Sequence, residues 1–229
     1  MFFSPCYLSS KSAYLSSSHL LCTHCMDPSF WNSRFDRDHF VYGASPNAFI
    51  AAQIAHLPKD GTVLDLAGGE GRNAIYLARE GYDVTLLDYS EVALKKAVAW
   101  AEREGVALRT HHADLTTWTP ERTYDAVVAS FVHLPVQWQP QLYETMQAAL
   151  APGGTLIAEW FRPEQRTDGY TSGGPPNADM MVTADELRGA FPHEGIELLS
   201  EPIVSLDEGP GHSGPAAVVR LVWTRPSET

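Results

Sequence analysis

The stretch from Thr62 to Glu80 constrains this chain more than any other. Thr62-Val63-Leu64-Asp65-Leu66 is a short, nearly continuous apolar run, the pattern of a parallel strand buried on both faces. It empties into Ala67-Gly68-Gly69-Glu70-Gly71, and a helical pattern then runs from Arg72 to Glu80, with Ala74, Ile75, Leu77 and Ala78 at inward spacing and Gly81 suited to its left-handed end. A strand that turns into a helix through glycines brings bare backbone N–H groups to the mouth of a sheet, where an anion or carboxylate can sit.

The same beat repeats along the chain. Residues 82–87 read as a strand, Ser90 caps a helix that Gly105 ends, and residues 107–111 and 124–130 read as strands. A helix over 139–150, a turn over 151–154 and a strand over 155–159 complete five βα-type units, which predicts an α/β, doubly wound (Rossmann-like) sheet. The ending departs from this rhythm. Residues 196–206 and 216–223 are strand-like and separated by a Gly/Pro-rich stretch, so a C-terminal antiparallel hairpin is expected, giving a seven-stranded, mostly parallel sheet. Two helical segments are expected ahead of the first strand, one carrying Trp31, Arg34 and Phe35 and one over 47–57. Residues 163–182, rich in Gly and Pro, form a long connection of the kind that covers a site.

With 229 residues, 44% hydrophobic and 19% charged, the chain is long enough for one substantial core and short for two. A net charge of -12 repels phosphate backbones and anionic surfaces, and no local basic patch offsets it, so no nucleic-acid partner is expected. No apolar run approaches the roughly 20 residues that cross a bilayer, so no membrane span is expected. Residues 1–25 are Ser-rich, lack an acidic residue and hold all three cysteines, Cys6, Cys22 and Cys25. Serines interrupt any secretory-type apolar stretch there. His19, Cys22, His24 and Cys25 crowd into seven residues without a second distant pair, a poor tetrahedral arrangement, so no metal is expected. Residues 1–25 are therefore expected to be a disordered or non-native extension, with Met26 as the natural start and 26–229 as a single domain. That domain contains no cysteine, which removes disulfides and thiol nucleophiles and fits a cytoplasmic enzyme.

Gly69-Glu70-Gly71-Arg72-Asn73-Ala74 satisfies the dinucleotide pattern G-x-G-x-x-G/A, and Asp88, 19 residues past Gly69, is placed to accept hydrogen bonds from both ribose hydroxyls. A nicotinamide cofactor and S-adenosylmethionine share these features. Asp65 ahead of Ala67, the Ala113-Asp114-Leu115 step after the third strand, and the terminal hairpin favour the methyl donor.

The run from Val63 to Asn73 resembles the first motif of class I S-adenosylmethionine-dependent methyltransferases, and the resemblance extends over about residues 29 to 225. Within that class the chain is similar to the small-molecule branch that includes tellurite-resistance methyltransferases, through Trp31-Asn32-Ser33-Arg34-Phe35, Tyr42-Gly43 with Pro46-Asn47, and the segment from Glu208 to Gly214. The resemblance implies that Asp65, Ala67, Gly69 and Gly71 surround the methionine part of the donor, that Asp88 holds the ribose, and that Asp114 and Leu115 frame the adenine. Ser130, ending the fourth strand, joins this cofactor-binding set. Trp31, Arg34 and Tyr42 are implied to form a cap over donor and acceptor. Ala67 replaces the usual first glycine, which such a loop tolerates if φ stays negative.

In a doubly wound sheet, ligands bind at the carboxyl ends of the strands. His133 beyond the fourth strand, Glu159, Trp160 and Arg162 beyond the fifth, and His212 in the hairpin loop are thus expected to face the donor pocket. His133 is the candidate general base, its ordinary pKa near 6.5 suiting proton transfer at neutral pH; the plainer reading is a histidine that shapes the pocket. His212 is a candidate substrate contact. Arg162 is a candidate binder of an anionic substrate, or a solvated charge. Methyl transfer is an in-line displacement that needs a nucleophile held about 3 Å from the methyl carbon and exclusion of water, so a strong base is optional.

The Asp/Asn-Pro-Pro-aromatic pattern of nucleobase and amide methylases is absent after the fourth strand, where this chain has Ser130-Phe131-Val132-His133-Leu134-Pro135; Gly174-Pro175-Pro176-Asn177 falls after the fifth. A small-molecule acceptor is expected, and the resemblance leans toward a thiol, selenide or tellurium oxyanion, on a monomer or homodimer. The competing readings are an NAD-dependent oxidoreductase and a non-catalytic module that binds the donor.

Overall fold

The structure, a computed structural model, describes residues 28–227. The expectations for residues 1–25 and for a start at Met26 fall outside the described residues.

The elements are α1 (Pro28–Phe35), α2 (Ala48–Ala52), β1 (Thr62–Leu66), α3 (Arg72–Arg79), β2 (Asp83–Asp88), α4 (Glu91–Glu104), β3 (Arg109–His112), β4 (Tyr124–Ser130), α5 (Gln139–Ala148), β5 (Leu150–Phe161), α6 (Glu164–Thr167), α7 (Ala184–Ala190), β6 (Ile196–Ser200), β7 (Ile203–Asp207) and β8 (Ser213–Thr224). The strands form one sheet in the order β3-β2-β1-β4-β5-β8-β6, with β7 also paired to β8. The first five run parallel, and β8 lies antiparallel to β5, β6 and β7.

The sheet has eight strands where seven were expected. The run over 196–206 breaks at Glu201-Pro202, because proline has no N–H to continue a ladder. β6 then pairs with the distal part of β8, Leu199 opposite Leu221, while β7 pairs with its beginning, Val204 opposite Ala216. The expected antiparallel hairpin is present in this split form. Its last strand inserts between β5 and β6, which a dinucleotide-binding sheet of order 3-2-1-4-5-6 does not do.

Period-two alternation distributes the core over both faces. Leu64 and Leu66 of β1 face Leu142, Met146, Trp160 and Phe191 on one side. Val63 of the same strand faces Phe49, Ala74, Leu77 and Ala97 on the other. The caps follow local chemistry: Ser90 Oγ accepts from the Ala93 N–H to start α4, and Gly105, at φ +68, ends it. The segment over 47–57 departs from a single helix. Asn47 caps the short α2, and a 3-10 turn, Ile54–His56, follows. β5 also runs further than expected, to Phe161, with the turn at 151–154 interrupting its register against β4 before Thr155 pairs with Ala126.

Candidate active site

The loop leaving β1 makes its turn through left-handed residues: Ala67 at φ +52, Gly69 at +58 and Gly71 at +87. Ala67 therefore does not meet the condition of a negative φ under which the loop carries an alanine without strain. A residue with a Cβ in that region costs roughly 1–2 kcal/mol, so Ala67→Gly is expected to raise stability by about 0.5–1 kcal/mol after the added freedom of the unfolded chain is subtracted, as read by urea unfolding. At Gly68, a Cβ would collide with the Asp65 carboxylate, and at Gly71 it would lie 2.9 Å from the Ala97 Cβ. The glycines thus let the loop press onto β1 and α4.

Asp65 sits beneath this loop. Its Oδ2 accepts from the Ala74 N–H at 3.0 Å, while its Oδ1 has no hydrogen-bond partner among the described residues. Burial pushes its carboxyl up to about 7, against the opposing Ala74 hydrogen bond and Arg72 charge. An acid whose pKa is higher folded than unfolded contributes stability that is full below the unfolded value of 3.8 and is lost as pH rises through the folded value. His133, lowered by burial to about 4, acts with the opposite sign below pH 6.5. Donor-free protein is therefore expected to melt at a lower temperature at pH 8 than at pH 6.5, because the buried Asp65 carboxyl loses its proton across that window. Asp65→Asn should flatten that slope; a wild-type melting temperature constant across the window contradicts this.

Asp88, at the tip of β2, ties two loops together. Its Oδ2 accepts from the Gly69 N–H and its Oδ1 from the Ser90 N–H, each at 2.8 Å. Burial raises its carboxyl to about 6 in spite of these bonds. Asp114, after β3, accepts from the Thr116 N–H and Oγ1 through Oδ1. Ser130 Oγ accepts from Asn73 Nδ2 at 3.0 Å.

These residues border a cavity of about 330 Å³, within the range of small-molecule sites. Of the residues singled out by sequence, the structure brings Ala67, Gly69, Asp88, Asp114, Leu115, Ser130, Trp31, Arg34, Tyr42, His133 and His212 to its lining. Asp65 and Gly71 stand behind the loop. Arg34 donates from Nε to the Tyr42 hydroxyl at 2.7 Å, and Trp31 stacks on Phe35 with ring centroids 5.8 Å apart. Tyr42 in turn lies 4.5 Å from the His212 ring, so the N-terminal segment and the hairpin loop meet across the cavity.

The expectations for the end of β5 are corrected. Because β5 continues to Phe161, Glu159 and Trp160 lie within the strand and are buried against its two faces. Glu159 is held by Asn47 at 2.6 Å and Arg220 at 2.6 Å, and Phe161 takes the position at the cavity. Arg162 turns to Glu164 at 2.8 Å and does not line the cavity.

His133 lines the cavity but cannot act as the general base in this arrangement. Nδ1 lies 3.0 Å from the Met180 carbonyl oxygen, to which it donates, and Nε2 accepts from the Phe161 N–H at 3.2 Å. Both nitrogens are engaged by backbone, which fixes one neutral tautomer, and burial lowers the pKa to about 4. Burial also lowers His212, outweighing the nearby Glu208 carboxylate.

A polar network that sequence reasoning missed anchors this wall. Arg72 Nη2 lies 2.7 Å from Glu208 Oε2, Asn47 Nδ2 donates to Glu208 Oε1 at 3.0 Å, and the Asn47 N–H donates to Asn73 Oδ1 at 2.8 Å. Glu70 accepts from the Val41 N–H at 2.7 Å and pairs with Lys96. Phe131 was also overlooked. It lines the cavity at φ +58, a genuine outlier for a bulky residue. No metal-binding cluster of His, Cys, Asp or Glu occurs, and no helix is long and apolar enough to cross a membrane, among the described residues.

The cavity fits S-adenosylmethionine: bare backbone at Gly68 and Gly69, a carboxylate at the tip of β2, and Asp114 and Leu115 beside it. Comparison with known proteins agrees. Residues 63–154 match a methyltransferase domain family. A probable S-adenosyl-L-methionine-dependent methyltransferase TehB of Haemophilus influenzae is 33% identical over 94 residues, 40% of this chain and 33% of that protein. A trans-aconitate 2-methyltransferase of Methylobacterium radiotolerans is 34% identical over 116 residues, 48% of this chain and 42% of its own. The matched region spans about a third of the TehB relative's length. Among solved structures, TehB from Haemophilus influenzae superposes with a TM-score of 0.65 at 18% identity, covering 86% of this chain and 66% of that one. A structure concerned with conversion of a disulfide bond into a thioacetal group during echinomycin biosynthesis gives 0.63 at 24%, covering 93% and 94%. Over residues 63–154 the chain is thus similar to a methyltransferase domain, with S-adenosylmethionine-dependent methyltransferases of the TehB kind among its relatives, and S-adenosylmethionine is the cofactor this similarity implies.

Proposed function

We propose that the protein transfers a methyl group from S-adenosylmethionine to a small molecule, and that the acceptor is soft, a thiol or selenide that brings its own reactive lone pair. The observation that carries the second half is that, among the described residues, no strong base is free to act in the cavity. His133 has both nitrogens bonded, Asp88 accepts two backbone N–H groups, Asp114 accepts from the Thr116 N–H and Oγ1 and is assigned to the adenine, Glu70 is paired, and burial weakens His212 as a base. A hydroxyl or amine acceptor gains most from a base; a thiol, partly ionised near neutrality, gains least.

In this reading, Gly68, Gly69 and Asp88 hold the donor's backbone-facing and ribose parts, and Asp114 and Leu115 flank the adenine. Arg34, which has no carboxylate partner among the described residues and lines the cavity, faces the donor's carboxylate. Bound there, S-adenosylmethionine supplies an electrophilic methyl group. Trp31 and Phe35 close over the site and keep water out, and His133 positions the Met180 and Phe161 backbone. We place the reaction in the cytoplasm, where thiols stay reduced, on a monomer or homodimer.

The test is S-adenosylhomocysteine release from enzyme, donor and matched acceptors that differ only in sulfur, selenium, oxygen or nitrogen at the reacting atom. Turnover on the sulfur and selenium members is expected. Turnover on oxygen or nitrogen alone sinks the soft-acceptor assignment, and donor binding without turnover on any member supports a non-catalytic donor-binding module.

A further inference from the structure

The cavity has two chemically different ends. Over β1, β2 and β3 lie Gly68, Gly69, Asp88 and Asp114, the polar groups assigned above to the donor. Over β4 and β5 the lining is Phe131, Val132, Phe161 and Met180, roofed by Pro175 and Pro176 from the long Gly/Pro-rich connection. Phe131 and Phe161 stack with centroids 4.4 Å apart, and His212 meets Phe131 edge-on at 4.5 Å. The fold tolerates a strained phenylalanine at φ +58 here, a cost of roughly 1–2 kcal/mol, and so keeps a flat ring where a glycine would sit without strain.

Cations near this end are turned to other tasks. Arg162 pairs with Glu164. Arg166 donates from Nε to the Pro175 carbonyl at 2.9 Å and from Nη2 to the Gly174 carbonyl at 2.7 Å, clasping the roof from outside the cavity lining. Arg72, toward the hairpin loop, is paired with Glu208. His133 is held neutral by its two backbone bonds. Arg34, which lines the cavity beside Tyr42, is assigned above to the donor's carboxylate, so an anionic acceptor entering here would lose hydration and find no unassigned counter-charge, whereas an apolar ring would gain by burial against the aromatic walls.

Resting on the methyl-transfer reading, we propose that the acceptor is an apolar, ring-bearing thiol or its close analogue with no charged group besides the reacting sulfur, held against Phe131 and Phe161 beneath Pro175-Pro176, and that chalcogen oxyanions are excluded. The methyl carbon then bonds to the acceptor sulfur as its bond to the donor sulfur breaks; the donor leaves as the neutral thioether S-adenosylhomocysteine and the thiol proton goes to solvent.

The experiment compares benzenethiol with 4-mercaptobenzoate, which adds one carboxylate to the same ring, using the full chain with S-adenosylmethionine. A KM for benzenethiol lower by about 10-fold or more is expected, the scale of one poorly compensated charge. Phe131→Gly deletes the ring at a backbone position glycine adopts freely, and is expected to raise that KM about 10-fold while leaving the S-adenosylhomocysteine Kd within about threefold. Equal or better use of 4-mercaptobenzoate overturns the proposal. So does failure with both thiols by protein that still binds S-adenosylhomocysteine, or an unchanged benzenethiol KM in Phe131→Gly. Absence of S-adenosylhomocysteine binding overturns the methyl-transfer reading instead.

Discussion

Asp88→Ala is expected to weaken S-adenosylhomocysteine binding about 100-fold or more. Hydrogen bonds to a charged acceptor contribute about 1.5–3 kcal/mol each, and two ribose hydroxyls on one carboxylate reach that factor at the low end of the range. The substitution also frees the Gly69 and Ser90 N–H groups that Asp88 now accepts, so the loops after β1 and β2 lose their common tie. Asp88→Asn separates the two effects. Its carbonyl oxygen can still accept from one of the N–H groups, so it should fold better than the alanine variant while still binding the ligand poorly. Calorimetric titration read beside a thermal melt checks both, and an alanine variant that binds within threefold of wild type contradicts the assignment.

Glu208→Ala is expected to destabilise the protein by about 3–5 kcal/mol, because it leaves the Arg72 guanidinium buried without its counter-charge. Both side chains are nearly sealed, at 7% and 6% exposure, so water cannot readily replace the lost partner. Burial alone would raise the Glu208 carboxyl, yet it sits below the ordinary range. The contact with Arg72 at 2.7 Å is the dominant reason, since His212 Nδ1, at 3.7 Å, is beyond hydrogen-bond reach. The loss extends further: Asn47 Nδ2 gives up an acceptor, and the loop that packs Gly209 on the Gly43 backbone comes free of α3. Urea unfolding reads the effect as a fall in midpoint. Pairing Glu208→Leu with Arg72→Met should recover much of it, since removing both charges leaves neither stranded. A loss below 1 kcal/mol in the single variant contradicts this account.

What could be read in the sequence was local. β1, its glycine loop and α3 announce themselves in the eighteen consecutive residues 62–79, and Ser90 and Gly105 mark the ends of α4 by rules that act within a turn. Asp88 was legible because the sheet places the end of β2 beside the end of β1, so a fixed spacing from Gly69 carries a spatial meaning. Arg162 failed for a countable reason: β5 runs two residues beyond the expected end at 159, which shifts every later side chain relative to the cavity. The division of 196–206 turned on one proline, Pro202, whose missing N–H outweighed the strand propensity around it. The network of Asn47, Arg72, Glu159 and Glu208 had no local signature, since Asn47 and Glu208 stand 161 positions apart and meet only after β8 has closed the sheet. His133 was placed correctly at the cavity, but the backbone groups that occupy its nitrogens come from β5 and from the turn at Met180.

The most direct measurement is calorimetric titration of the full chain with S-adenosylmethionine, S-adenosylhomocysteine and NADH. Micromolar binding of both adenosyl ligands with no detectable heat from NADH is the predicted result. Preference for NADH, or no binding of either adenosyl ligand, would contradict the account at its base.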